Sequence, residues 1–383
     1  MDPITVQSVS AYPPDTCSES FVISCHDREI PAWVESEIEQ LYENVYASIP
    51  KLAIYGRLDD ISTYIVRRGS TPLTIYLFRN DGRTVRVLNE LIKVDEDNIN
   101  RFAKTIFATY PSVAAITFHA IRPDIHHLSY PYQLFNHAED IVILLPASID
   151  EYLRRLSKST RRTIRSYANK LTTRNPSFRF LWCEKEQAKE DEIREIIRMN
   201  RERMRIKHRS SDITEAETLR IVKMVRSCGL VGVATIDDRI CGGTIAYRSG
   251  TNFYIVVSAH DPVYDDLRLG TLCSYFAVCE CIVRGGEECH FLWGRYEYKF
   301  SLLGVSRNLD NLTVYRSATV CLFNADRVVM TAVEGYVRQA KLWMHDGLHQ
   351  HRRLPRAVFA VVKGVRNMSR LAAGLFIRRS VDP

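Results

Sequence analysis

The sequence holds no run of about 18 consecutive apolar residues, the length a membrane-crossing helix needs, so no span is expected. Its opening residues, MDPITVQSVSAYPPD, lack a basic stretch followed by an apolar one. No secretory leader is therefore expected, and the protein is placed in the cytoplasm. C-x-x-C pairs are missing too. Among ten cysteines, Cys279 and Cys281 form a lone C-x-C and Cys289 follows on the next apolar run, which is not the spacing of a zinc site. The expectation is reduced, buried thiols and no metal. No short fixed repeat recurs, which excludes a solenoid.

What is present fits a folded chain. At 383 residues it exceeds one small core, and 46% hydrophobic with 25% charged residues excludes disorder. The formal net charge is +7, and Arg and Lys crowd between Glu151 and His208. That crowding fits an anionic partner (nucleic acid, membrane surface or phosphate-rich cofactor) or two solvated helix faces.

Periodicity supplies the elements. ISTYIVRRG, TPLTIYLFRN and TVRVLNEL read as strands, with Asn80-Asp81-Gly82 as a hairpin turn. Asn98 to Ala108 reads as a helix and VAAITFHAI as a strand. A second round follows. Ser148 and Glu151 have capping-box spacing, and Leu153, Leu156, Thr160, Ile164, Tyr167 and Leu171 continue one helix to Asn175-Pro176. FRFLWC is a short strand; Ile193 to Met204 and Thr214 to Arg226 are helices, the latter closed by Gly229. LVGVATI and CGGTIAYRS flank a hairpin at Asp237-Asp238, and NFYIVVSA follows Gly250. A helix follows Gly270, and CHFLWG is a buried strand before a short helix at Tyr298. LTVYR and ATVCLF are expected to close the sheet. Strand, strand, strand, helix, strand thus occurs twice, which points to a duplicated α/β (α+β) domain. The expected units are 1–135, 136–324 and a helical extension, 325–383.

Three stretches carry a family likeness: YLRRLSKSTRRTIRSYANKL, GTIAYRSGTNFYIVVSAHDPVYDDLRLGTLC and FLWGRYEYKFSLLG. In this order they resemble the GNAT acyltransferase superfamily, in the branch of the cellulose-biosynthesis protein CelD, which is related to FemAB-type transferases. The resemblance implies tandem GNAT-like domains, each a mixed sheet flanked by helices, the first degenerate and the second active. It also implies transfer of an acetyl or longer acyl group from a coenzyme A thioester to the amine of a small molecule or sugar, without a covalent enzyme intermediate.

The implied cofactor site is the strand end at Ser258 and Ala259 with the helix start at Arg268, Leu269, Gly270 and Thr271, whose N–H groups suit a pyrophosphate. The family signature Gln/Arg-x-x-Gly-x-Gly/Ala is broken here by Leu267 and Leu272. Tyr298 would protonate the leaving thiolate, and His260, Asp261 and Glu297 are the candidates for taking the amine proton. Arg295, Tyr296 and Lys299 would face the substrate. An aminoacyl-tRNA-dependent, FemAB-like transferase is the alternative that the basic helix after Glu151 favours. A non-catalytic binding protein on a decayed fold is the one the broken signature favours. At the end of the chain, Pro355 opens an apolar stripe from Val358 to Leu375. It is expected to pack on the transferase domain rather than on an anionic membrane or an acidic acyl carrier protein.

Overall fold

The computed structural model describes residues 21–206 and 213–323. The stripe after Pro355 lies outside them. The first half contains β1 (Phe21–His26), α1 (Val34–Tyr42), α2 (Ile49–Tyr55), β2 (Ile61–Arg68), β3 (Thr71–Asn80), β4 (Thr84–Val87), β5 (Lys93–Asp95), α3 (Glu96–Thr109) and β6 (Ala115–Asp124). Then come β7 (Tyr132–Leu144), α4 (Ile149–Arg155), α5 (Lys158–Arg174), β8 (Arg179–Glu184), α6 (Glu190–Ile206), α7 (Glu215–Cys228), β9 (Gly229–Ile236), β10 (Arg239–Ser249) and β11 (Asn252–His260). The chain ends its described part with α8 (Leu269–Val283), β12 (Glu288–His290), α9 (Glu297–Ser301), β13 (Val305–Tyr315) and α10 (Ala318–Phe323).

All strands join one mixed sheet in the order β1-β2-β3-β4-β6-β13-β7-β12-β11-β10-β9-β8, with β5 paired to β6 alone. The pattern of parallel and antiparallel pairings is the same read from either end. β4 and β6 are parallel, as are β11 and β12, and every other pairing on the path is antiparallel. At the centre the halves exchange strands. β13, the last strand, pairs with β6 of the first half, and β7 pairs with β12 of the second. Accordingly Leu312 and Val314 of β13 are buried in the first-half core.

Local chemistry explains most elements. Asp237 and Asp238 both take positive φ, 49° and 59°, the mirror-image turn that a two-residue hairpin favours. Ser148 caps α4 by accepting the Glu151 N–H. The single long helix expected from there is two. Leu156 turns extended with ψ 148°, and the Ser157 hydroxyl accepts the Thr160 N–H to start α5 afresh. The break lets Leu156 bury completely while the Arg and Lys residues of α5 stay outside. ATVCLF is helix, not strand, and CHFLWG is paired as a strand only up to His290. The sheet is closed by β13, whose polar Ser306, Arg307, Asn308 and Asp310 hide it from pattern reading.

Candidate active site

β11 is the strand to which the second half is organised. Its ladder with β10 runs its full length to Gly242↔His260, whereas its ladder with β12 stops at Tyr254↔His290. From Ile255 onward β11 and the chain after β12 part, because Phe291 donates its N–H instead to Ile141 of β7. A slot opens between them. At its apex the β10 ladder jumps from Ile245↔Val257 to Ala246↔Ile255, so Val256 is bulged out.

α8 starts beside the slot. Its first turn, Leu269 to Leu272, contains no acidic residue, and its N-cap Arg268 is left-handed at φ 48°. Such a start presents N–H groups and the positive end of the helix dipole. Arg268 lies with its guanidinium 5.3 Å from the Tyr167 ring of α5. The close approach that Gly270 permits has a protein partner: a Cβ there would meet the His260 ring at 2.5 Å. The two leucines that break the family signature are core residues, Leu267 at 3% and Leu272 at 1% exposure.

The face of the slot under α8 carries hydroxyls. Ser274 donates to the Gly270 carbonyl at 3.1 Å and lies 3.4 Å from the Ser258 hydroxyl. The Tyr298 phenol joins them through Ser274. Burial raises its pKa, while the Arg203 charge and the Ser274 hydrogen bond pull the other way. Arg203, from the last turn of α6, has a buried Nε with no hydrogen-bond partner among the described residues. Ala259 is fully buried against the α6 and α7 core, so only its backbone faces the slot region.

His260 sits at the end of β11, 7% exposed, its Nε2 2.6 Å from Asp265. Asp261 caps the 3-10 turn Pro262–Leu267 by accepting the Val263 N–H at 3.0 Å. Glu297 is exposed in the first turn of α9. The structure therefore brings Ser258, Tyr298 and the α8 start together, but ties His260 and Asp261 to neighbours on the turn.

Two residues assigned to the substrate have other work. Lys299 is 4% exposed and donates to the carbonyls of Phe291, Leu292 and Trp293 at 2.8, 3.4 and 2.6 Å. Burial lowers its pKa to about 8 against the opposing pull of Asp140. Its bonds to these carbonyls pin the strand end that diverges from β11. Arg295 grips buried Glu139 of β7 in a two-pronged pair at 2.7 and 2.6 Å, fixing the same loop to the central sheet. Tyr296 is half-exposed and stacks on Tyr298 with centroids 6.2 Å apart. The polar mixture after Gly294 is thus mostly the clamp that holds the slot open, with one phenol aimed into it.

Behind the slot lies a buried ionic cluster. His290 Nδ1 is 2.6 Å from Asp140, and Glu288 pairs with Arg307 at 2.6 and 2.7 Å. Burial opposes a charged His290, but Asp140 and Glu288 outweigh it and raise its pKa to about 9. Sequence reading missed this cluster, since its members lie on β7, β12 and β13. It also missed Ser274, although a lone serine in the apolar run of α8 was a visible signal.

The family model of the acetyltransferase (GNAT) domain matches residues 158–300. No curated protein matches. FemX shares the fold at 8% identity and a TM-score of 0.54, over 77% of this chain and 98% of that one. The L-PGS from Bacillus licheniformis aligns at 13% identity and 0.49, over 79% and 97%. A tandem GNAT protein from the clavulanic acid biosynthesis pathway aligns at 10% and 0.39, over 76% and 98%. Residues 158–300 form a GNAT-type acyltransferase domain. The chain's paired halves on one sheet share the fold of FemX.

Proposed function

We propose that the chain is an acyl-CoA-dependent N-acyltransferase, moving an acyl group such as acetyl directly onto an amine of a small molecule or sugar. The observation that carries this is the slot beside β11, which no described strand enters, with its bulge at Val256 and a first helical turn without acidic residues at its end. A pantetheine arm is an extended chain with amide groups, and the free edge from Ile255 to His260, Ser258 and Ala259 included, offers it strand-like partners. The pyrophosphate would lie at Arg268, Leu269, Gly270 and Thr271. The backbone at the bulge is where a thioester carbonyl would be polarised.

The proton account closes with one side chain. The amine nitrogen attacks the thioester carbon, the C–S bond breaks, and the thiolate takes the Tyr298 proton. The nitrogen then gives up its surplus proton, which returns to the phenolate. The neutral phenol that burial enforces is the form this cycle needs at its start.

The test is Tyr298→Phe, assayed with acetyl-CoA and a panel of amines. Turnover should fall about 10²-fold, with acetyl-CoA affinity and melting temperature unchanged. Wild-type turnover in the variant would make Tyr298 a packing residue. An aminoacyl-tRNA donor is the second reading. It is favoured by Arg154, Lys158, Arg162 and Arg165, all exposed on α4 and α5, and by α5 packing beside α8. It requires tRNA binding that weakens steeply with salt.

A further inference from the structure

We infer that the cavity between the two halves is the acceptor site, and that it takes a compact primary amine in uncharged form. This rests on the acyl-transfer reading and deepens it. The cavity measures about 310 Å³, room for about ten non-hydrogen atoms at about 30 Å³ each. Its floor includes Val256, the bulged residue of β11, and Leu292 and Trp293 line it from the far side of the slot. An acceptor there would meet the acyl group at the apex.

The cavity contains a polar group without a partner. Tyr247 of β10 is 4% exposed, lines the cavity, and its hydroxyl has no hydrogen-bond partner among the described residues. A buried hydroxyl left so is costly, and a ligand N–H removes the cost. The first half supplies the opposite wall through Tyr46, Lys51 and Tyr55.

The charges decide the form of the ligand. Glu217 of α7 accepts the Tyr55 hydroxyl at 2.6 Å and pairs with Arg220 at 3.3 Å. Lys51 is 3.4 Å from Glu90, which also lies 3.0 Å from His119, and its ammonium stands 5.3 and 5.6 Å from the Tyr46 and Tyr55 rings. Glu217, the carboxylate in the cavity wall, is therefore already matched by a cation, and Glu90, which pairs with Lys51, stands outside the lining. An entering ammonium would be stripped of water by apolar walls and repelled by Lys51. Desolvation and a like charge both favour the neutral amine, which is the form that attacks a thioester.

The experiment is calorimetric titration of the full-length protein with cyclohexylmethylamine between about pH 7 and pH 9. Its affinity should rise about tenfold per pH unit as free amine accumulates, while cyclohexylmethanol, the control for the protein's own titrations, binds without pH dependence. Lys51→Met should flatten the amine's slope. Tyr247→Phe should weaken binding about fivefold at every pH with an unchanged melting temperature. A flat amine profile, tighter binding of cyclohexanecarboxylate, or full affinity in Tyr247→Phe overturns the inference. Coenzyme A is titrated separately. If it binds and the amine does not, the acceptor site falls alone. If the amine binds as expected and coenzyme A does not, this site stands and the donor reading falls.

Discussion

The two halves of the sheet part their parallel strands in the same place and treat the gap differently. In the first half, β4 pairs with β6 only from Thr84↔Ala115 to Arg86↔Thr117, and the following chain folds back to fill the opening. Leu91 donates to the Ala120 carbonyl, and β5 pairs along Arg122 to Asp124. In the second half β11 and β12 separate after three pairs, and no described strand enters. The helix starts differ in the same sense. α3 begins with Asp95 as its cap and with Glu96 and Asp97 in its first turn, which would repel a phosphate. α8 begins without acid. A duplicated fold thus keeps one slot and plugs the other, and the plugged half still serves the open one by walling its cavity.

The strongest way to break this comparison is to remove the shared strand. Deleting Val305–Tyr315 should abolish cooperative melting of both halves in calorimetry, because Leu312 and Val314 belong to the first-half core. A surviving first-half transition would show that the halves are independent. A smaller effect sharpens the contrast between helix starts. Thr271→Asp makes α8 resemble α3 and should weaken coenzyme A about tenfold by titration, while Asp97→Asn in α3 changes nothing. Equal affinities in all three proteins would remove the phosphate from α8.

The smallest effect probes the seam. His290 has a folded pKa of about 9, above its unfolded value near 6.5, so its stabilisation is whole below about pH 6.5 and is lost as pH climbs through about 9. Lys299, lowered to about 8, adds an opposite slope from there upward. Chemical denaturation should therefore show stability falling between about pH 6.5 and 8, by at most about 1.4 kcal/mol per unit, levelling between about 8 and 9 where the two slopes oppose, and rising above about 9. In His290→Gln the fall should vanish; an unchanged slope would place the titrating group elsewhere.

Much of this was legible in the sequence because it is local. Alternation marks β2, β3, β9, β10 and β11, caps mark α4 and α7, and Asp237-Asp238 marks its hairpin. Of the exchanged strands only the end of β13, LTVYR, was legible as one that closes the sheet; its partners and the start of the strand were not. β7 runs through the junction expected near residue 135, and the first part of β13 is polar because the faces of the strand there are only partly covered. Their partners lie far away in sequence, so no window of residues holds the information. The site divides the same way. Tyr298, Ser258 and the α8 start stand in family-like order, whereas Lys299 and Arg295 looked like substrate ligands because their partners, three carbonyls and Glu139, are set by tertiary contact.

The strand exchange also has a consequence for biosynthesis. Phe118 on β6 faces Leu312 on β13, about two hundred positions later in the chain. At a synthesis rate of about 5–20 residues per second, β6 waits roughly ten to forty seconds for its neighbour to be made. During that time the nascent first half carries an open sheet edge, the feature that invites wrong pairing. Neither half can mature on the ribosome ahead of the other. The plugged half and the open slot are completed by one late event, the arrival of β13 between β6 and β7, so a chain truncated before it is expected to leave both unfinished.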